Sequence, residues 1–170
     1  MTKRLVLCCD GTWNTPDQTH PTNVTKLALA VAPRAGDVEQ LAYYQRGVGT
    51  SRRERLRGGV FGWGLSRGVT DVYDFVVTHY EPGDEIFLFG YSRGAYTARS
   101  VAGLIRNAGI LRPENAARID QAYALYREKS VAPRDTASEL FRRSFSHPDV
   151  RIRFVGVWDT VGALGIPVGA

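Results

Sequence analysis

Mainly apolar runs alternate with segments of helical spacing along this chain. The runs, which are typical of strands buried on both faces, are residues 5–9, 41–45, 85–90 and 151–157. The segments with helical spacing or composition are residues 22–31, 69–80, 95–107, 114–129 and 137–145. This alternation predicts an α/β fold, a mostly parallel sheet with helices on both faces, and an open sheet edge at the last strand.

Glycines cluster between the second strand and the second helix, at Gly58, Gly59, Gly62, Gly64 and Gly68. The cluster predicts a long irregular segment before a helix that begins at residue 69. No Gly-Lys-Ser/Thr follows it, so nucleotide binding is not expected. Its Phe61, Trp63 and Leu65 favour ordinary packing, with an apolar flap over a site as the alternative.

Composition indicates one globular domain over residues 1–170, with 44% hydrophobic and 23% charged residues. The adjacent Cys8 and Cys9 lie inside the first apolar run, which predicts buried, reduced thiols rather than a disulfide or a zinc motif. That run is too short for a signal-peptide core or a membrane span. We therefore expect synthesis in the cytoplasm, with export by a signal-free route left open.

The net charge of +5 owes much to Arg52, Arg53, Arg55 and Arg57. A solvated basic loop is the favoured interpretation, and peripheral contact with an anionic membrane surface is the alternative. Nucleic acid is not an expected partner, because no aromatic residues alternate with these arginines to stack bases. No motif for a cofactor or a metal ion stands out.

The segment Gly90-Tyr91-Ser92-Arg93-Gly94 follows a predicted strand and precedes an alanine-rich helix. This context is the one that a nucleophile elbow requires, with Ser92 exposed at a sharp strand-to-helix turn. The N–H of Arg93, at the helix start, is then the first expected oxyanion donor. A serine that merely caps the helix is the alternative.

An acid and a base should follow such a serine in the order Ser, Asp or Glu, His. Asp159 ends the last strand and is the candidate acid, with an Asp that caps the following turn as the alternative. No histidine follows Asp159, and none of the three histidines of the chain is favoured as the base. A surface role is expected for His147 and a surface or helix-terminal role for His79. His20 lies in the loop near Asp10 and could overhang the site. We therefore expect a domain that is incomplete at its C-terminus and stops before its catalytic histidine.

The turn Asp10-Gly11-Thr12 follows the first strand, where this fold places the second oxyanion donor. The N–H of Gly11 or of Thr12 could supply it. We expect Asp10 to brace the loop through nearby backbone N–H groups. A haloacid-dehalogenase nucleophile at Asp10 is not expected, because that motif needs an acid at position 8, which is Cys8.

Five motifs, within a match that runs from residue 4 to residue 166, resemble one family. They are Cys9-Asp10-Gly11-Thr12-Trp13-Asn14, Thr22-Asn23-Val24, Gly47-Val48-Gly49-Thr50, Gly90-Tyr91-Ser92-Arg93-Gly94-Ala95-Tyr96-Thr97-Ala98-Arg99 and Gly156-Val157-Trp158-Asp159-Thr160-Val161-Gly162. The combination is similar to an α/β-hydrolase family of largely uncharacterised proteins that includes the phospholipase catalytic domains of type VI secretion lipase effectors.

The resemblance implies a Ser-Asp-His triad, with Ser92 as nucleophile and Asp159 as acid. It also implies phospholipase A-like hydrolysis of a lipid or other ester substrate. Family domains continue past the Trp-Asp-Thr strand and carry the histidine there. The chain then corresponds to the N-terminal part of the domain, and a completing chain or self-association would supply the base. A non-catalytic remnant or binding module is the alternative.

Overall fold

The computed structural model describes residues 2–12, 14–47 and 60–161 of the chain. Within them lies one five-stranded sheet with the order β2-β3-β1-β4-β5. The strands are β1 Lys3–Cys9, β2 Arg34–Ala35, β3 Val38–Gln45, β4 Glu85–Tyr91 and β5 Ile152–Trp158. All neighbouring pairs are parallel except β2 with β3, so the predicted mostly parallel sheet is confirmed.

Five α-helices connect or flank these strands. They are α1 Asn23–Ala30, α2 Val60–His79, α3 Arg93–Ala108, α4 Ile119–Arg127 and α5 Thr136–Phe145. The side chain of Thr22 caps α1 by accepting a hydrogen bond from the N–H of Thr25. The segment predicted as one helix over residues 114–129 is divided, because a 3₁₀ helix at Pro113–Arg118 precedes α4.

The central strand β1 buries both of its faces. Leu5 and Leu7 belong to the core that α2 and α3 cover, while Val6 and Cys8 belong to a smaller core on the side of α1. Successive residues of a strand point to opposite faces, so the continuous apolar run of β1 requires helices on both sides. The prediction of a sheet covered on both faces is confirmed, and the assignment to the α/β-hydrolase type stays a prediction.

The glycine-rich segment contains the main error of the sequence-based prediction. Helix α2 begins at Val60 rather than at residue 69, so residues 60–68 are helical and not irregular. Gly68 is buried, and its carbonyl accepts a hydrogen bond of 2.9 Å from the side chain of Gln45 at the end of β3. Leu65 is buried at 3% exposure, which confirms packing for that residue. Tertiary contacts therefore outweigh the low helix propensity of glycine here.

Several residues or side chains in this region, for which predictions were made from the sequence, lie outside the described part of the structure. These are the side chains of Phe61 and Trp63, and the whole of Gly58, Gly59, Arg52, Arg53, Arg55 and Arg57.

Strand β5 forms one edge of the sheet, as predicted for the described part of the chain. Its Phe154 and Val155 are 51% and 40% exposed, which is high for large apolar side chains in a strand. None of the helices in the described ranges is both long enough and apolar enough to cross a membrane.

Candidate active site

Ser92 lies at the junction of β4 and α3, with backbone angles φ 54° and ψ −119°. Positive φ is rare for a residue with a side chain and costs of order 1–3 kcal/mol, so the surrounding packing must hold it. The side chain of Ser92 makes no capping hydrogen bond with α3. Both observations disagree with an ordinary capping serine, which has extended backbone angles and bonds an N–H of the first helical turn.

Gly90 and Gly94 allow this turn to close. A Cβ on Gly90 would stand 2.6 Å from the Cα of Ala95, and a Cβ on Gly94 would stand 2.5 Å from the carbonyl oxygen of Asp10. Both neighbours are backbone atoms, which cannot move aside as a flexible side chain can. The two glycines of the motif are therefore steric requirements, one for the turn itself and one for the contact of α3 with β1.

Asp159 follows β5 in a loop that is bonded to Ser92 on both sides. The N–H of Ser92 donates to the carbonyl of Trp158 at 3.0 Å, and the N–H of Val161 donates to the carbonyl of Ser92 at 3.2 Å. Asp159 has φ 44° and is exposed, and within the described residues its carboxylate has no hydrogen-bonding or ionic partner. The structure thus places the predicted acid beside the predicted nucleophile, with its carboxylate uncommitted.

Asp10 is buried at the end of β1 and accepts four hydrogen bonds. Its Oδ2 accepts from the hydroxyls of Thr22 at 2.7 Å, Thr25 at 2.8 Å and Tyr44 at 2.6 Å, and its Oδ1 accepts from the N–H of Gly11 at 2.7 Å. The predicted bracing role is confirmed. Burial and the bond to the carboxylate raise the pKa of Tyr44, so its hydroxyl stays a donor.

The hydroxyl partners of Asp10 were missed by the sequence analysis. They come from the start of α1 and from β3, and only the folded sheet brings those elements to the end of β1. The Thr22-Asn23-Val24 motif was recognised, but nothing in the sequence connects it to Asp10.

Gly11 lies against Ser92. A Cβ at Gly11 would stand 3.2 Å from the Cβ of Ser92 and 2.9 Å from Cδ1 of Tyr91. The loop that was predicted to supply oxyanion donors is therefore next to Ser92. The hydroxyl of Thr12 is buried and has no hydrogen-bond partner among the described residues, whereas the N–H of Gly11 is directed to Asp10.

The two cysteines of β1 lie beneath this loop. Both are fully buried and neither forms a disulfide, which confirms the predicted reduced thiols. Burial, with a smaller contribution from the charge of Asp10, raises the pKa of the Cys8 thiol to about 12. Burial also raises the pKa of Cys9, so neither thiol supplies a reactive thiolate near neutral pH.

The three histidines do not meet at this site. His79 ends α2, where its ring stacks on Phe75, and His147 precedes β5 and packs edge-on against Tyr80. Both lie at the amino end of the sheet, about 20 Å from Ser92 for strands of this length. His147 is half-buried rather than on the surface, and burial lowers its pKa. His20 is exposed in the loop after β1.

Residues 2–12, 14–47 and 60–161 contain no group of three or more His, Cys, Asp or Glu side chains arranged to hold a metal ion. What they do bring together is a strained serine, an uncommitted carboxylate and a braced glycine loop. This set can perform nucleophilic attack on a carbonyl once a base is present.

Comparison with known proteins gives one family. A family model described as "T6SS, Phospholipase effector Tle1-like, catalytic domain" matches residues 3–170. The uncharacterised protein YEL023C of Saccharomyces cerevisiae is 31% identical over 187 aligned residues. That alignment covers 96% of this chain but only 27% of the yeast protein. No solved structure was found to match the chain.

Proposed function

This chain belongs to the Tle1-like phospholipase effector catalytic-domain family, and from that premise we propose that it is a serine hydrolase of carboxylic esters with phospholipids as substrates. The observation that carries the proposal is the backbone of Ser92, whose φ of 54° projects a hydroxyl that α3 does not use. A strained serine with an uncommitted hydroxyl at a strand-to-helix turn is the arrangement that acyl transfer needs.

In the proposed reaction, Oγ of Ser92 attacks the acyl carbonyl carbon and its proton passes to a base. The N–H of Arg93 at the start of α3 and an N–H of the loop after β1 stabilise the oxyanion. Of the two predicted loop donors, Thr12 is favoured over Gly11, because the N–H of Gly11 already donates to Asp10. The acyl-enzyme is then hydrolysed, which releases the fatty acid.

Asp159 is the proposed acid, because its loop is tied to the backbone of Ser92 at both Trp158 and Val161. It would orient a histidine base, a role that neither His79 nor His147 fills in the described structure, because their ring contacts hold them at the other end of the sheet. The net charge of +5 favours anionic over neutral lipid surfaces for peripheral contact.

A binding module without chemistry is the second candidate. The observation in its favour is that His79 and His147 are held at the far end of the sheet and His20 is exposed. A chain without its base would retain only the effects of binding and of the oxyanion hole, about 10³–10⁴-fold over water in well-studied triads.

The test is fatty-acid release from phosphatidylglycerol and phosphatidylcholine vesicles, with and without added imidazole as an external base. We expect imidazole-dependent release, faster from the anionic vesicles, and none from Ser92→Ala. The matched control is Ser130→Ala, because Ser130 is exposed and bonds only its neighbour Glu128. Release that is equal in Ser92→Ala would overturn the proposal. Vesicle binding without release in any condition would favour the binding module.

A further inference from the structure

The side-chain amide of Asn14 lies next to the nucleophile. Its Nδ2 is 3.0 Å from the point where a Cβ on Gly11 would stand, and the Cβ of Ser92 is 3.2 Å from that same point. The amide nitrogen and the Cβ of Ser92 are therefore no more than about 6 Å apart. Even a Cβ on Gly11 would stand 2.9 Å from Cδ1 of Tyr91, so only glycine at this position lets the amide pack so close to Ser92.

The backbone of Asn14 is fixed on both sides, which holds its side chain at the site. Its N–H donates to the carbonyl of Gly11 at 3.1 Å, and its carbonyl accepts from the N–H of Gly47 after β3 at 3.2 Å. The loop is anchored further by Asp10, whose N–H bonds the carbonyl of Gln45 at 3.0 Å. A donor on a fixed backbone needs little reorganisation when charge develops nearby.

The amide has one N–H to spare. Nδ2 donates to the carbonyl of Thr12 at 3.4 Å, which orients the nitrogen toward the loop and the oxygen away from it. An amide nitrogen carries two hydrogens, and the second has no acceptor among the described residues.

We propose that Asn14 donates this second N–H to the oxyanion that forms when Ser92 attacks an ester. This inference rests on the proposed function, and it adds a side-chain donor to the backbone donors. Removal of a single oxyanion-hole donor costs about 10²–10³-fold in rate in a well-studied serine enzyme. The ester substrate places its carbonyl oxygen at Gly11, between Asn14 and the start of α3.

The rate of reaction with a fluorophosphonate tests directly whether Asn14 donates to the oxyanion. In that reaction a bond forms between Oγ of Ser92 and phosphorus, the P–F bond breaks, fluoride leaves with the electron pair, and the hydroxyl proton passes to imidazole in the buffer. The phosphoryl oxygen takes the place of the oxyanion. The quantity to measure is the second-order rate constant for the whole chain and for Asn14→Ala, Asn14→Asp and Asn115→Ala, each with its thermal unfolding curve.

We expect Asn14→Ala to lower the rate constant by about 10²–10³-fold. Asn14→Asp should lower it at least as much, because it keeps the shape but replaces the donor with a negative charge. Asn115→Ala is the matched control: its amide donates to the carbonyl of Phe145 at 3.1 Å, at the other end of the sheet. It should change the unfolding temperature and leave the rate constant unaltered.

Different outcomes reject different claims. If Asn14 only holds the turn, both variants will lose reactivity in step with their loss of thermal stability, and the inference is wrong while the proposed function stands. If both Asn14 variants keep the wild-type rate constant, the inference is likewise wrong and the proposed function stands. If the unaltered chain forms no adduct, or forms one that persists in Ser92→Ala, the proposed function fails and the inference fails with it.

Discussion

The two ends of the parallel sheet are built on different principles. At the carboxyl end, Ser92 and Asp159 have positive φ, and the carboxylate of Asp159 and the hydroxyl of Thr12 have no partner in the part of the chain that is described. At the amino end, charged groups are paired: the ammonium of Lys3 lies 2.7 Å from the carboxylate of Asp84, and Arg4 lies 2.9 Å from Glu85.

Backbone strain does not separate the two ends, because Asp149 before β5 has φ 52° and Nε2 of His147 has no hydrogen-bond partner among the described residues. The difference lies in the charged groups. The carboxylate of Asp159, unpaired in the described part of the chain, lies beside a strained serine, which is typical of a functional site, whereas the paired charges of the amino end contribute to stability. The paired amino end keeps the parallel strands in register, because the bonds of Lys3 and Arg4 join β1 to the start of β4. Substitutions at the two ends should therefore separate chemistry from stability.

The largest expected effect comes from Gly94→Ala at the carboxyl end. The added Cβ would stand 2.5 Å from the carbonyl oxygen of Asp10, so α3 must move away from β1. We expect the free energy of unfolding to fall by at least about 4 kcal/mol, because neither backbone can yield without loss of packing. Urea titration followed by circular dichroism measures the loss.

A glycine at the amino end provides the matched control for that substitution. Gly83 has φ 99°, but a Cβ there would meet nothing nearer than the hydroxyl of Thr2 at 3.9 Å. Gly83→Ala should cost only the backbone strain, about 1–2 kcal/mol. Equal losses for the two substitutions would show that the contact of α3 with β1 is not tight.

Asp84→Ala is the next largest change. The carboxylate of Asp84 is buried and pairs with the ammonium of Lys3. It also accepts hydrogen bonds from the backbone N–H groups of Lys3 and Glu81. Its loss leaves these donors unpaired, so we expect about 3 kcal/mol of destabilisation. The rate of fluorophosphonate labelling, measured well below the unfolding temperature, should not change. A slower reaction in the folded variant would mean that the two ends are coupled.

Tyr44→Phe tests the brace of the carboxyl end. It removes the 2.6 Å hydrogen bond to Asp10 and leaves the ring in place. Hydrogen bonds to charged groups contribute about 1.5–3 kcal/mol, so we expect a loss of about 2 kcal/mol in unfolding free energy. Labelling of Ser92 should also become slower, because Asp10 holds the Gly11 loop. Unchanged labelling would show that Thr22 and Thr25 suffice to hold it.

Arg153→Ala should have the smallest effect. Its guanidinium lies 3.6 Å from Glu85, and the Arg153 side chain is 69% exposed. Exposed ion pairs contribute little, so the change in unfolding free energy should stay below about 0.5 kcal/mol. A loss above 1 kcal/mol in thermal unfolding would indicate that the whole charged edge acts as one network.

The positions of the four parallel strands and of the turn at Ser92 could be predicted because local pattern decides them, whereas the two-residue strand β2 was not predicted. Strand β4 is apolar from Ile86 to Phe89, and the helix after it has the spacing of an amphipathic segment. The start of α2 could not be predicted, because glycine composition argues for a loop while the contact of Gly68 with Gln45 is long-range.

The candidate site residues that follow a strand could be predicted from the sequence. The contacts that these residues make with other elements could not. Ser92, Gly11 and Asp159 each follow a strand, and a parallel sheet collects its carboxyl ends at one edge. The bonds that Asp10 receives and the approach of Asn14 to Ser92 depend on how α1 and β3 pack beside β1. These contacts follow from the folded arrangement alone.

The central claim is that the strained Ser92 is the nucleophile, and mapping of the fluorophosphonate adduct tests it most directly. After reaction in imidazole buffer, digestion and mass spectrometry should find one adduct, on the peptide that contains Ser92, and none in Ser92→Ala. An adduct on any other residue, or no adduct while the protein remains folded, would contradict the account.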